Sequence, residues 1–103
     1  MSVYLHVTLE VRAAGLGRFL EAMDKTAVPF LEREGWRLAG AFVQRSGRLN
    51  TVIDLWELED FQHYDRALRN LMADACFPAF SAVLVDTVIS ETVVFADRAP
   101  YMR

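Results

Sequence analysis

The stretch that decides the fold is Asn50-Thr-Val-Ile-Asp-Leu-Trp-Glu-Leu-Glu-Asp60, where a strand runs directly into the start of a helix. Ile53 and Leu55 alternate with Asp54 and Trp56, so the two pairs are predicted to lie on opposite faces of the strand. A carboxylate within such an apolar strand needs a partner, water or a ligand, because burying an unpaired charge is costly. The functional question is therefore what Asp54 faces.

Hydrophobic periodicity predicts a strand and a long helix before this stretch. Residues 3–12 alternate strictly between apolar and polar side chains, which is the clearest strand signal in the sequence. A helix is expected from the turn at Gly15 and Gly17 to about Glu34. Pro29 lies inside this helix and should kink it or divide it in two, because proline lacks the N–H that a helix needs.

The rest of the chain reads as a hairpin, a helical region and a final strand. Asp60 is placed as the N-cap of a helix whose apolar stripe consists of Phe61, Tyr64, Leu68 and Leu71. The predicted elements are a strand over 36–45, a turn at 46–48, a strand over 50–58, helical segments over 60–73 and 75–84, and a strand over 86–96.

The order β-α-β-β-α-β predicts a single α+β domain over residues 1–103, a ferredoxin-like sandwich with a four-stranded antiparallel sheet. The apolar residues of the first strand, with Ile53 and Leu55, are expected under the helices. The opposite face would then carry a mixed set of side chains, namely Tyr4, His6, Thr8, Glu10, Asp54 and Trp56. Either a second copy, closing a barrel-like homodimer through the sheet face, or a ligand is expected to cover that face.

Composition excludes several classes of partner. Apolar residues make up 53% of the chain, the net charge is −3, and the basic residues are scattered, so nucleic acid is not an expected partner. One cysteine and two histidines without a ligand motif give no reason to expect a metal site. No signal peptide or membrane-spanning run is expected, so the sequence predicts a cytoplasmic protein.

Two segments resemble the NIPSNAP family. They are Gly47-Arg-Leu-Asn50, followed by Leu55-Trp56, Asp60 and His63, and the earlier Phe30-Leu-Glu-Arg-Glu-Gly35-Trp36-Arg-Leu-Ala-Gly40. The resemblance covers nearly the whole chain and implies the dimeric α/β-barrel superfamily. That superfamily includes cofactor-free aromatic monooxygenases, polyketide cyclases, haem-degrading enzymes and muconolactone-type isomerases. Asn50, Trp56 and His63 match the family pattern, Arg66 lies near its basic position, and Asp54 stands where the family often has histidine.

His6 and Asp54 are the predicted catalytic pair, on the same face of neighbouring strands. A carboxylate beside an imidazole fixes its tautomer and raises its pKa, which suits a general base near neutral pH. A structural polar pair in a dimer interface is the alternative interpretation.

The predicted substrate-binding residues are Tyr4, Asn50, Trp56, His63 and Arg66. Tyr4 and Trp56 would form an aromatic wall or an interface core. Asn50 would orient a carbonyl or simply form a turn. His63 and Arg66, one helical turn apart, would hold an anion or lie on a solvated face.

Two functions follow as hypotheses. The first is a small enzyme without a cofactor, of monooxygenase, cyclase or isomerase type, acting in metabolism or biosynthesis on an apolar or aromatic, oxygen-bearing molecule. The second is a non-catalytic ligand-binding or interaction module. An open cavity of about 300 Å³ or more would favour the enzyme, and a tightly filled interface would favour the module.

Overall fold

The computed structural model describes residues 2–103, which form one antiparallel sheet with helices on one side. The strands are β1 (Val3–Val11), β2 (Arg37–Val43), β3 (Thr51–Leu58) and β4 (Val88–Ala96). The helices are α1 (Leu16–Ala22), α2 (Val28–Arg33), α3 (Phe61–Ala73) and α4 (Phe77–Thr87). The fold is thus the predicted ferredoxin-like α+β sandwich.

The strand order is β2-β3-β1-β4, so β1 and β3 are the central antiparallel pair. The register places Leu5 opposite Trp56 and His6 opposite Leu55. Directly opposed residues of an antiparallel pair share a face of the sheet. This register therefore determines which side chains of the two central strands meet.

The long helix before β2 is divided, as the position of Pro29 predicted. A short 3-10 turn (Ala13–Gly15) leads into α1, and a π-helical turn (Met23–Ala27) separates α1 from α2. Pro29 lies in the first turn of α2, directly after the π turn, so the widened turn falls where the missing N–H of proline interrupts the helical hydrogen bonds. The Val28 N–H donates to the Met23 carbonyl, the wider spacing that defines a π turn.

The predicted face assignment of β3 is wrong by one position. β1 buries the expected residues under the helices, which are Leu5, Val7, Leu9 and Val11. β3 buries Asp54 and Trp56, which were predicted to face away, together with Val52 and Leu58. Ile53 and Leu55 lie on the opposite face, called the open face below, since none of the helices within residues 2–103 covers it. β3 is apolar on both faces, so alternation did not decide the burial, and the large Trp56 ring takes the side that buries more area.

Helix α3 begins at the predicted N-cap, because the Asp60 carboxylate accepts a hydrogen bond from the His63 N–H at 2.8 Å. Its buried face is rotated from the predicted stripe and centres on His63, Ala67 and Leu71. Phe61 is exposed to solvent, although its ring contacts Phe95 edge to face. The sequence missed this rotation because a histidine was assigned to the polar side.

Among residues 2–103, no single helix is long and apolar enough to cross a membrane. Helices α3 and α4 reach that length and hydrophobicity only as a pair, and they are bent by 103° relative to each other.

Candidate functional site

A cavity of about 260 Å³ lies between the helices and the covered face of the sheet. We call it the helix-side cavity. Its floor comes from alternate residues of β1, β3 and β4, and its roof from apolar residues of all four helices and the π turn. Exposed lining residues, Met72 and Glu91 among them, mark the side where it meets solvent. This volume is slightly below the roughly 300 Å³ that is typical of the smallest ligand pockets, so any ligand is small.

Aromatic rings form one wall of the cavity. Trp36 meets Trp56 edge to face with centroids 5.5 Å apart, and it stacks on Tyr64 at 5.7 Å. Both indoles are buried, and all three rings line the cavity. The Trp36 Nε1–H is buried without an acceptor among the described residues. A buried donor without a partner is uncommon, because it forfeits its hydrogen bond to water.

Asp54 is the polar residue of the cavity floor, and it is only 5% exposed. Burial, followed by the negative charge of Glu91, raises the pKa of Asp54 from 3.8 to about 6. No cation or hydrogen bond from the described residues opposes these two effects. The Asp54 carboxyl group can therefore gain or lose a proton near neutral pH inside an apolar cavity.

Glu91 of β4 lies on the same side of the sheet as Asp54. It is paired with Leu9 of β1, while Asp54 is paired with Val7, so both acids lie beside the covered face of β1. Burial, and then the charges of Glu91 and Asp65, raises the pKa of the Tyr64 phenol. Glu91 therefore acts electrostatically on both titratable groups of the inner wall.

The predicted pairing of His6 with Asp54 is wrong. His6 is exposed on the open face, opposite Leu55 and Val94, whereas Asp54 lies on the helix side. Neighbouring positions along a strand point to opposite faces, so the one-position error in β3 separates the two groups. Of the predicted catalytic pair, the cavity contains Asp54 alone.

The predicted aromatic wall of Tyr4 and Trp56 is wrong for the same reason. Tyr4 lies on the open face, where its hydroxyl donates to the Glu57 carboxylate at 3.2 Å. Glu57 also accepts a hydrogen bond from Arg37 at 2.6 Å, and this bond is the first cause of its lowered pKa. Trp56 does line a cavity, but its aromatic partners are Trp36 and Tyr64.

His63 has a structural position, and the prediction that it lies on a polar surface is wrong. The side chain is 2% exposed, and its Nδ1 accepts a hydrogen bond from the Glu59 N–H at 3.1 Å. Its Nε2 is 2.7 Å from the Glu34 carbonyl oxygen, so the proton is assigned to Nε2. The ring also lies 3.3 Å from where a Cβ on Gly35 would be, and Gly35 has a φ of +95°. His63 thus joins the end of α2 to the start of α3.

Asn50 and Arg66 lie outside the helix-side cavity. Asn50 has a φ of 61°, a left-handed conformation that asparagine tolerates, and its carbonyl accepts from the Val11 N–H at 3.0 Å. This is the turn geometry that was the alternative interpretation. Arg66 is exposed on α3, one turn from the buried His63, so the two do not form an anion site.

Sequence reasoning missed Trp36, Tyr64 and Glu91 as cavity residues. Trp36 was placed at the start of a strand, and Tyr64 was counted in a core stripe. Glu91 carried a usable signal, because a carboxylate within a strand rich in Val and Thr raises the same question as Asp54. Among residues 2–103, no group of three or more His, Cys, Asp or Glu side chains is placed to hold a metal ion.

The sheet, the helices on one side and the cavity between them define a ferredoxin-like α+β domain with an internal apolar pocket. The chain matches the NIPSNAP family model over residues 4–96. It therefore belongs to the NIPSNAP family. No significant match is found among curated proteins.

Solved structures agree with this assignment. An uncharacterized NIPSNAP domain protein from Burkholderia xenovorans is 26% identical with a TM-score of 0.81, covering 100% of this chain and 99% of its own. A NIPSNAP family protein from Agrobacterium tumefaciens is 17% identical with a TM-score of 0.87, covering 98% and 96%. A proposed antibiotic biosynthesis monooxygenase from Caulobacter crescentus is 16% identical with a TM-score of 0.71, covering 95% and 90%. At these two lower identities the likeness extends to the fold alone.

Proposed function

We propose that this protein is a small cofactor-free enzyme of monooxygenase, cyclase or isomerase type. It acts on an apolar or aromatic, oxygen-bearing molecule in the helix-side cavity. The observation that carries the proposal is the buried Asp54 carboxyl group, which lines an apolar cavity without a compensating cation among the described residues. The shared fold of the monooxygenase-named neighbour adds support at the level of architecture.

Asp54 takes the role of general base in this proposal. The three reaction types can each begin with removal of a proton from a hydroxyl group or from carbon next to a carbonyl. A carboxylate whose pKa is about 6 is mostly ionised at neutral pH and is a stronger base than an ordinary aspartate. The proton moves to an Asp54 oxygen, and the electron pair stays on the ligand as an enolate or phenolate.

The aromatic wall holds a flat ligand against Asp54. The edge-to-face pair of Trp36 and Trp56 offers apolar surface on which a ring can pack. We assign the unpaired Trp36 N–H as the donor to the ligand oxygen, in place of the predicted Asn50. His6, which lies on the opposite face, has no part in the chemistry.

Proton abstraction can be measured without knowing the natural substrate. We would incubate the protein with alpha-tetralone in deuterated water and follow loss of the proton signal next to the carbonyl by NMR. We expect the exchange to exceed the buffer rate, and Asp54→Asn to lower it by about 10²- to 10⁴-fold, the usual contribution of a general base. His6→Ala is the matched control and should exchange at the wild-type rate.

Full exchange in Asp54→Asn would contradict the assignment of Asp54 as the base.

A second candidate function is a non-catalytic module that binds a small ligand. It is favoured by the volume of about 260 Å³, which is small for an enzyme pocket. Binding without any exchange above buffer would support the module and contradict the enzyme.

We also propose that the open face forms a homodimer. Phe42 and Val94 are 57% and 47% exposed on this face, beside the partly buried Ile53 and Leu55. Exposed apolar surface of this kind on a small domain is typical of an interface. Sedimentation of wild type and Phe42→Lys tests it, because a charge there should shift the dimer toward monomer. A cytoplasmic location stays a prediction.

A further inference from the structure

We infer that the helix-side cavity selects ligands that donate a hydrogen bond and carry no negative charge, and that Glu91 imposes this selection together with Asp54. The inference rests on the proposed ligand cavity and names the class of molecule that it accepts. Carboxylates and phosphate esters are thereby excluded. Phenols, enols, alcohols and amines fit.

The charges that line the cavity are the first step of the argument. Among the described lining residues, Asp54 and Glu91 are the charged side chains, and both are acids. No lysine, arginine or histidine lines the cavity within residues 2–103. Tyr64 is the other titratable lining group, and its raised pKa keeps it neutral at physiological pH. The ligand therefore meets a wall that is negative or neutral.

The strand register brings the two acids toward one another. Asp54 lies on β3 and Glu91 on β4, with β1 between them. Two strand spacings and the offset from Val7 to Leu9 put their backbones roughly 12 Å apart. Both side chains point to the helix side, where they flank Val7 and Leu9. Asp54 lies in the floor, and Glu91 is exposed at the solvent side. A ligand that enters past Glu91 and reaches Asp54 meets both.

The roof supplies nothing that would neutralise these charges. The lining residues of the helices and the π turn are apolar apart from Tyr64, including Phe19, Met23, Leu68 and Phe80. Charges interact strongly where apolar walls exclude water, because the effective dielectric constant is low. An anion would have to lose its hydration beside Asp54, and the exposed Glu91 carboxylate would add a weaker repulsion at the solvent side. A hydroxyl or ammonium donor would instead give Asp54 its missing hydrogen bond.

Trp36 is a second lining residue with a polar group that lacks a partner among the described residues. The Trp36 Nε1–H has no acceptor among the described residues, although it is buried in the cavity wall. A ligand hydroxyl both donates and accepts, so under the proposed function it can donate to Asp54 and accept from Trp36. A carboxylate would satisfy Trp36 but leave Asp54 facing another negative charge.

Three probes of the same shape separate these possibilities. We would measure calorimetric binding of para-cresol, para-methylbenzylamine and para-toluate, which are neutral, cationic and anionic at neutral pH. We expect para-toluate to bind at least about tenfold more weakly than the tighter of the other two, because of like-charge repulsion in an apolar site. The order of cresol and amine tells whether the preferred donor is neutral or charged.

Variants then test whether Glu91 causes the discrimination. Glu91→Gln should narrow the gap between cresol and toluate by about threefold to tenfold. Glu10→Gln is the matched control, since it removes the same charge from the open face, where Glu10 pairs with Arg48. Glu10→Gln should keep the wild-type difference in affinity between para-cresol and para-toluate. If that difference is also unchanged in Glu91→Gln, Glu91 does not cause the discrimination.

The outcomes also separate this inference from the proposed function. If para-toluate binds as tightly as the donors, the selection is wrong but the cavity remains a ligand site. If none of the three binds, the cavity is not a ligand site, and both proposals fall. If the selection holds but the deuterium exchange fails, the protein binds such molecules without acting as a proton-transfer enzyme.

Discussion

The two faces of the sheet differ in whether their carboxylates have partners. On the open face, Glu57 is bonded to Arg37 and Tyr4, and Glu10 to Arg48. On the helix side, Asp54 lies in an apolar cavity with no such partner among the described residues. Polar groups that are paired within the chain contribute to folding or surface chemistry, whereas an unpaired buried one is retained at a cost. The contrast is the reason that we propose the helix side as the functional face.

The two histidines illustrate the same contrast. His63 is buried with both ring nitrogens engaged by backbone groups, and His6 is exposed on the sheet. Neither reaches the helix-side cavity, so His6, the predicted base, is a surface group, and His63, the predicted substrate-binding residue, is a structural group. In the proposed function, the Asp54 carboxylate is therefore the base in place of His6.

The largest expected effect compares adjacent residues of β3. Trp56→Ala should lower the free energy of unfolding by about 3–5 kcal/mol, because a large buried ring is lost. Leu55→Ala, on the open face, should cost less than about 2 kcal/mol in the isolated chain. Urea unfolding of both variants measures the difference. Equal costs would contradict the face assignment, and a Leu55→Ala cost that depends on protein concentration would support the dimer.

The next effect compares the two histidines. His63→Ala should lower the free energy of unfolding by about 2–4 kcal/mol, because the Glu59 N–H and Glu34 carbonyl lose their partner in a buried site. His6→Ala should change stability by no more than about 0.5 kcal/mol. Thermal and urea unfolding provide the measurement. If His6→Ala were destabilised and His63→Ala were as stable as wild type, the assignment of His63 as the structural histidine and His6 as the surface histidine would be wrong.

The smallest effect concerns Asp54 and pH. Below about pH 4 its carboxyl is protonated in both states and has no effect on stability. Between about pH 4 and pH 6 the folded protein keeps a proton that the unfolded chain releases, so stability falls as pH rises. Above about pH 6 the carboxylate is ionised in both states, and the folded protein bears the full cost of the buried charge.

Asp54→Asn removes this titration. We expect the variant to be more stable than wild type at neutral pH by about 1–2 kcal/mol, and the difference to shrink toward about pH 4. Unfolding curves of both proteins across this range measure it. A wild type that gains stability as pH rises from about 4 to 6, relative to Asp54→Asn, would mean that Asp54 has a compensating partner.

The sequence predicted the fold well because its signals are redundant. Strict alternation in β1, the Asp60 cap and the position of Pro29 each constrain one element, and the strand order follows from topology. The candidate site was predicted less well, because it depends on which face of β3 is buried. A strand that is apolar on both faces carries no such signal, and a shift by one position exchanges all its neighbours.

The sequence nevertheless singled out Asp54 as a candidate site residue. That prediction depended on the cost of burying a charge and not on which face of β3 is buried. His6 and Tyr4 were predicted as site residues because they were expected on the same face as Asp54 and Trp56. They lie on the opposite face, so those two predictions are wrong. Glu91 could not be joined to Asp54 without the register of β4 on β1. Local chemistry could thus be predicted, whereas the meeting of side chains from different strands could not.

Adjacent residues of β4 offer the most direct test that the helix-side cavity is the ligand site. Val93 lines the cavity, whereas Val94 lies on the open face, and both are partly exposed, at 37% and 47%. We would measure para-cresol binding to wild type, Val93→Trp and Val94→Trp by calorimetry. The cavity assignment predicts that Val93→Trp fills the site and abolishes binding, while Val94→Trp binds as the wild type does. Loss of binding in Val94→Trp with full binding in Val93→Trp would contradict it and return the site to the open face.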